Sequence, residues 1–273
     1  MKYVGSKNRL SKDLAPIIQS YITNETEGYL EPFVGGANMI DKIKCNKRIG
    51  TDNHKYLIAV LKKLSEGWIP PEEITEEKYQ DIKNNKEKYP DYLVGYVGFQ
   101  LSYGGKWFGG YRRDKVGKRN YSLEAYKNTI KQIPNLKNIQ FEVFDFRDIP
   151  LDKIKNYVIY CDIPYRDTTK YSTGGFPYEE FYEWVKKASA NNTVLISEYN
   201  MPDDFKCIWQ KETKTLLDSN KEKSDNVPYS MTLFYFDSTK IKHMIFNRFI
   251  DYEAVCQSVK NNEGAWIPLE QAL

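Results

Sequence analysis

Residues 28–52 constrain this chain more than any other stretch. Gly28-Tyr29-Leu30-Glu31-Pro32-Phe33 reads as a short buried strand that stops at Gly35-Gly36, and Ala37 to Cys45 carries a helical apolar period. Arg48-Ile49-Gly50-Thr51-Asp52 is a second short strand, followed by an amphipathic helix over Tyr56 to Leu64. A strand, a glycine turn, a helix and a strand ending in an acid open a doubly wound α/β sheet, whose crossover helices make successive strands parallel.

The pattern then breaks. Residues 70 to 100 read as helical, over Glu72 to Lys88 and Tyr92 to Leu101, with no strand between them. Residues 102–115 hold four glycines and four aromatics, the composition of a hairpin or an irregular loop. Strands resume at 139–144 and 157–161. A helix over Tyr178 to Ala190 precedes the strand Thr193 to Ser197, and Pro228 to Phe236 reads as the last hairpin strand. One α/β domain is therefore expected over residues 1–54 and 140–273, with a mostly helical insertion over 55–139.

Charge supports that division. The chain has 273 residues and a net charge of only +3, too little for a uniformly basic nucleic-acid coat. Residues 55–139 hold 16 Lys and Arg against 10 Asp and Glu, a net of +6, which leaves −3 for the rest. Within 103–121 the basic residues are Lys106, Arg112, Arg113, Lys115, Lys118 and Arg119, against the single acid Asp114. Interleaved with Trp107 and Tyr111, they suit phosphates and exposed bases, although a solvated surface loop has the same composition. Lys221 to Lys223 read as a solvated loop.

Other classes drop out on composition. A hydrophobic fraction of 41% excludes low-hydrophobicity disorder, and no apolar run approaches the 18 or so residues of a spanning helix. The N-terminal residues contain no signal-peptide stretch, so a cytoplasmic protein without membrane attachment is expected. Cys45, Cys161, Cys207 and Cys256 have no zinc-ribbon spacing and read as reduced, mostly buried thiols. With only two His, an imidazole-built metal site is not expected.

The chemistry concentrates at strand ends. Tyr160-Cys161-Asp162-Ile163-Pro164-Tyr165 is an apolar strand closed by an acid, a proline-constrained turn and an aromatic. Methylation of a base amino group needs such a set. The exocyclic nitrogen is a poor nucleophile because its lone pair is delocalised into the ring. Hydrogen bonds accepted from its N–H groups by a carboxylate and a backbone carbonyl draw that pair out of conjugation. Tyr165 would stack on an extruded base. An Asp-x-Pro turn is also an ordinary structural turn, so context decides. Gly35-Gly36 would let a cofactor approach the backbone, or form a plain tight turn. Asp52 would accept ribose hydroxyls, or cap the following helix. Asp145-Phe146 would meet an adenine, or be a surface acid beside a core aromatic. Tyr171 to Phe176 and Ser197-Glu198-Tyr199 lie near enough in sequence to these strand ends to close over or shape a pocket.

In the order of these motifs the chain resembles the Dam-type DNA adenine-N6 methyltransferases (D12 class, alpha group), particularly phage-encoded members. Tyr3-Val4-Gly5-Ser6-Lys7 is similar to that family's opening motif, which implies contacts of Tyr3 and Lys7 with S-adenosylmethionine. Glu31, Phe33, Gly35 and Gly36 match its methionine-side loop, Asp52 its ribose acid, and Asp145 with Phe146 its adenine-side pair. Asp162-Ile163-Pro164-Tyr165 stands where the family has Asp-Pro-Pro-Tyr. The family's target-recognition domain falls where the basic insertion lies here. The resemblance spans roughly residues 1–240. It implies a Rossmann-like methyltransferase sheet, double-stranded DNA as partner and N6 of a flipped-out adenine as acceptor, with direct transfer from a sulfonium that requires no metal. Ile163 is the departure: it keeps the carbonyl the family's first proline supplies but not the fixed φ. Cytosine N4, RNA or a protein amide as acceptor, and a catalytically inactive DNA-binding relic, are the competing readings. A GATC target is the family's expectation. The sequence leaves the target, the oligomeric state and the role of 241–273 open.

Overall fold

The computed structural model describes residues 1–114, 116–164, 175–199, 201–213 and 229–236. In chain order these form α1 (Ser11–Ser20), β1 (Gly28–Glu31), β2 (Arg48–Asp52), α2 (Lys55–Ser65), α3 (Glu76–Asn84), α4 (Asp91–Gln100), α5 (Tyr121–Leu136), β3 (Ile139–Val143), β4 (Tyr157–Asp162), α6 (Tyr178–Ala188), β5 (Thr193–Glu198), β6 (Phe205–Thr213) and β7 (Tyr229–Phe236).

The seven strands make one sheet in the order β3-β2-β1-β4-β5-β7-β6. The first five are parallel, and β7 runs antiparallel between β5 and β6. This is an α/β Rossmann-like sheet. After β1 the chain winds outward through β2 to β3, then returns to place β4 on the other side of β1. That reversal opens a crevice at the carboxyl ends of β1 and β4, where open α/β sheets bind ligands.

Side chains alternate between two cores. Tyr29, Val158, Tyr160 and Leu195 face a cluster that includes Leu14 and Ile18 of α1, Leu57 and Leu61 of α2, and Val94 and Val97 of α4. Leu30, Ile159, Cys161, Val194 and Ile196 face the other, built on Phe181, Trp184 and Val185 of α6. The first cluster runs without a break from the sheet through Tyr79, Ile82 and Phe108 of the stretch between β2 and β3.

Several expected elements differ in extent. The apolar period of Ala37 to Cys45 yields only a single tight turn over Ile40–Lys42. Ala37 is left-handed at φ 54°, which an α-helix does not accommodate, and Ala37, Met39, Ile40 and Ile43 are buried outside any α-helix. The helix expected from Glu72 starts at Glu76, where the Thr75 side chain accepts from the Lys78 amide, and ends at Asn84. Three elements had no counterpart in the sequence reading: α1 and α5, each with an internal proline, and the edge strand β6. Residues 102–111 are closed by one antiparallel bridge, Ser102 to Tyr111.

Candidate functional site

Period two along the central strands carries Tyr29 and Glu31 of β1 and Tyr160 and Asp162 of β4 to the same face, with both acids at the carboxyl edge. Asp162 accepts from the buried Lys7 ammonium, with Nζ 2.5 Å from Oδ1. The same ammonium donates to the Gly5 carbonyl at 3.2 Å. Glu31 is buried and accepts from the Tyr29 hydroxyl at 2.7 Å. Burial pushes Glu31 well above the usual carboxylate range, the Tyr29 bond opposes that shift, and the charges of Asp41 and Asp162 add to it. Below Asp162, the Tyr160 hydroxyl and Ser197 Oγ are 2.7 Å apart.

The turn after β1 is shaped by β2 and the N-terminal segment. Val34 N donates to Thr51 O at 2.9 Å, and Gly35 is left-handed at φ 49°. A Cβ at Gly35 would sit 2.9 Å from the Tyr3 ring, and one at Gly36 would sit 2.9 Å from the Met1 carbonyl. Asp52 Oδ2 accepts from Gly35 N at 3.3 Å, and Oδ1 accepts from His54 N at 3.0 Å. Burial raises Asp52 to about 6, with these backbone amides pulling the other way. The side chain that caps α2 is His54, whose Nδ1 accepts from Leu57 N at 3.3 Å. Burial holds His54 below its ordinary value, in keeping with an acceptor nitrogen. Sequence reasoning passed over His54; its position immediately before the helix was the signal.

The aromatic side of the crevice comes from β3, β1 and α6. Asp145 caps the short turn Phe146–Asp148 and pairs with Arg147 Nε at 2.7 Å, which holds its carboxyl below the usual range. Phe146 is buried, and Phe33 covers it with ring centroids 5.6 Å apart. Phe176 and Phe181 complete the group.

Contacts join Lys7 to Asp162, and separately bring Tyr3 and Asp52 to the Gly35-Gly36 turn; Glu31 feels the Asp162 charge, and Phe33 packs on Phe146 next to Asp145. Ile163 is buried in the α6-side core. Pro164 follows it, and its carbonyl accepts from the Tyr178 hydroxyl at 2.8 Å. Tyr165, residues 171–174 and residues 221–223 lie outside the described residues. Ser197 and Glu198 are buried at the end of β5, where Glu198 Oε1 accepts from Tyr199 N at 2.7 Å.

The basic segment divides into packed and exposed residues. Trp107 stacks on Tyr56 and meets His54 edge-on, and the Tyr111 hydroxyl donates to Ile74 O at 2.7 Å. Arg112 lies 3.7 Å from the centroid of Tyr121. Arg113 pairs with Glu76 through Nε at 2.6 Å, and Arg119 pairs with Glu124 at 2.7 Å. Lys106 and Lys118 are exposed, and Lys115 lies outside the described residues. Tyr103, which the sequence reading did not single out, is 70% exposed beside them.

The segment also holds the N-terminal residues. Gln100 Oε1 accepts from Lys2 N at 2.9 Å while its amide donates to Lys2 O at 3.0 Å. The Tyr3 ring packs on Phe99, with centroids 5.5 Å apart. Burial and the charge of Arg112 lower the Lys2 ammonium to about 8. Among the described residues no group of His, Cys, Asp and Glu has a metal-holding arrangement, and no helix is long and apolar enough to cross a membrane.

Comparison with known proteins points in one direction. Residues 3–97 match the family described as D12 class N6 adenine-specific DNA methyltransferase. The Type II methyltransferase M.FokI of Planomicrobium okeanokoites is 24% identical over 206 residues, covering 66% of this chain and 31% of that protein. The chain therefore spans about a third of that relative's length. Among solved structures, the rRNA methyltransferase aviRa from Streptomyces viridochromogenes aligns at a TM-score of 0.42 and 9% identity over 86% of each chain. A putative methyltransferase, SMU.472, complexed with SAH, aligns at 0.36 and 12% over 84% of this chain and 52% of that one. These two likenesses are too distant to carry an argument. The family matched over residues 3–97 and the relative are both methyltransferases.

Proposed function

We propose that this chain transfers a methyl group from S-adenosylmethionine to N6 of an adenine in double-stranded DNA, acting on a base taken out of the duplex. The observation that carries this reading is the Lys7–Asp162 pair at the carboxyl end of β4, beside the glycine turn that Asp52 braces.

The residues at the crevice fit the donor. Gly35 and Gly36 let the turn after β1 pack directly against Tyr3 and the Met1 carbonyl, where a Cβ would collide, and buried acids close β1 and β2. Tyr3, Lys7, Glu31, Phe33, Gly35, Gly36, Asp52, Asp145 and Phe146 would hold it. Asp52 would accept from ribose hydroxyls and Phe33 would cover an apolar ring face. When bound, S-adenosylmethionine supplies an electrophilic sulfonium methyl carbon. Asp162 and the carbonyl of Ile163 would accept from the two N6 hydrogens and free the nitrogen lone pair. Asp162 then holds the positive charge that develops on N6 and provides a route for the departing proton. Tyr165 would stack on the base.

Residues 55–139 would form the target-recognition segment, with Lys106, Arg113, Lys118 and Arg119 exposed toward phosphates and Arg112 held nearer the core. Membership of the Dam-type, phage-like group belongs to the same reading, while the target sequence stays open. Tritiated methyl transfer to DNA of defined sequence tests it: labelled N6-methyladenine is expected from the wild type and none from Asp162→Ala. Turnover retained in Asp162→Ala would overturn the assignment. Methylation mapping in cells expressing the protein would read out the target sequence.

A further inference from the structure

The Asp162–Pro164 turn is held at both ends by hydrogen bonds and at its middle residue by side-chain packing alone. Asp162 is tied to Lys7. Ile163 precedes a proline, which confines its ψ to the extended range and so limits the direction of its carbonyl. Its φ is not confined in that way. The Ile163 side chain is only 3% exposed and sits with Leu30, Phe146 and Phe181, so rotation about φ would pull it out of the core.

At Pro164 another element supplies a fixed point. Tyr178 opens α6, and its hydroxyl donates to Pro164 O at 2.8 Å across 14 residues of sequence. The ring is held for this: its centroid is 5.0 Å from Phe176, which packs on Phe33, and α6 is rooted by the buried Phe181, Trp184 and Val185. Proline has no N–H, so the Pro164 carbonyl is the nearest backbone handle downstream of the Ile163 carbonyl.

We infer that Tyr178 is a positioning residue, whose hydroxyl bond to the Pro164 carbonyl fixes the turn that presents the Asp162 carboxylate and the Ile163 carbonyl to the acceptor nitrogen. It takes the place of the conformational restraint that a proline at position 163 would supply. The inference rests on the methyltransferase reading for its kinetic consequence, but not for its structural one.

The test is Tyr178→Phe, which deletes the hydroxyl and keeps the ring. Loss of one oriented hydrogen bond is expected to lower kcat about tenfold. KM for DNA and S-adenosylmethionine, the affinity for the analogue sinefungin and the melting temperature stay near wild type. Hydrogen exchange in the peptide spanning residues 160–166 quickens. Adding Ile163→Pro to Tyr178→Phe restores most of the lost kcat, which a purely structural role would not allow. Wild-type kcat and exchange in Tyr178→Phe overturn the inference. A loss carried equally by KM and melting temperature does the same. If the wild type transfers no methyl group to DNA, the methyltransferase reading falls, and the exchange comparison alone decides whether Tyr178 holds the turn.

Discussion

Lys7 Nζ and Asp162 Oδ1 are 2.5 Å apart although 155 residues separate them in sequence. The lysine side chain is 4% exposed and the aspartate 23%, so each charge depends on the other for much of its compensation. Removing one partner of a buried pair costs about 3–5 kcal/mol, because the remaining charge stays desolvated. Asp162→Ala is therefore expected to lower stability by about 3 kcal/mol. Lys7→Met/Asp162→Ala should be more stable than Asp162→Ala alone. Urea denaturation of the wild type, both single variants and the double checks this, and additive losses would contradict it.

Asp52 makes a prediction about pH. Its carboxyl is raised from 3.8 to about 6, so the folded state holds this proton more tightly than the unfolded chain. The contribution to stability is full below about pH 4 and is lost as pH rises through about 6. Asp52→Asn does not titrate and escapes that loss. The melting temperature of Asp52→Asn relative to wild type should therefore rise between pH 4 and pH 7. The same variant should bind S-adenosylmethionine about 10–100-fold more weakly, through loss of a charged acceptor. Melting curves across pH and calorimetry measure the two effects separately.

Gly105 ties the basic segment to the N-terminal residues. It is left-handed at φ 69°, and a Cβ there would lie 2.9 Å from Tyr3 N. Gly105→Ala should cost about 1–2 kcal/mol in backbone strain alone. It should also weaken cofactor binding by displacing Tyr3. Gly104→Ala has a similar φ of 65° but meets nothing within 4 Å, so it should carry the strain without the binding defect. Equal binding defects in the two variants would refute the distinction.

The exposed cations should separate by salt response. Lys106→Ala is expected to reduce the slope of log affinity for DNA against log salt by about 0.9, the value for one phosphate contact. Arg113 is 67% exposed and paired with Glu76, and such pairs contribute little to stability. Arg113→Ala should thus leave the melting temperature within about a degree while altering DNA affinity. Filter binding at several salt concentrations, with thermal melts alongside, distinguishes these residues.

The parallel half of the sheet was readable because its strands are short runs bounded by Gly, Asp or Asn, with the amphipathic helices α2 after β2 and α6 before β5. The antiparallel edge was half readable. Tyr229–Phe236 is a strong strand signal, while Phe205–Thr213 mixes Lys, Cys, Gln and Glu and reveals no face until β7 pairs with it. In α5 the buried positions include Ser122, Thr129 and Gln132, so the helical period is present but not apolar. Gln132 is buried because its amide donates to Ala37 O at 2.9 Å, a long-range partner that local periodicity cannot announce. The strand-end acids were legible from position alone. Their engagement was not: whether Asp52 or its neighbour caps α2, and whether Trp107 faces solvent or Tyr56, depends on distant elements.

The core that begins beneath β1 passes unbroken into the stretch between β2 and β3. The proposed recognition segment, sharing its core with the sheet, would be no interchangeable cassette. Grafting another in its place would have to rebuild the surfaces of α2 and α4 at the same time. On the proposed function, changes of DNA preference would be accommodated at the exposed Lys106, Arg113, Lys118 and Arg119, which can vary without opening the interior that Phe108, Trp107 and Tyr111 help to fill.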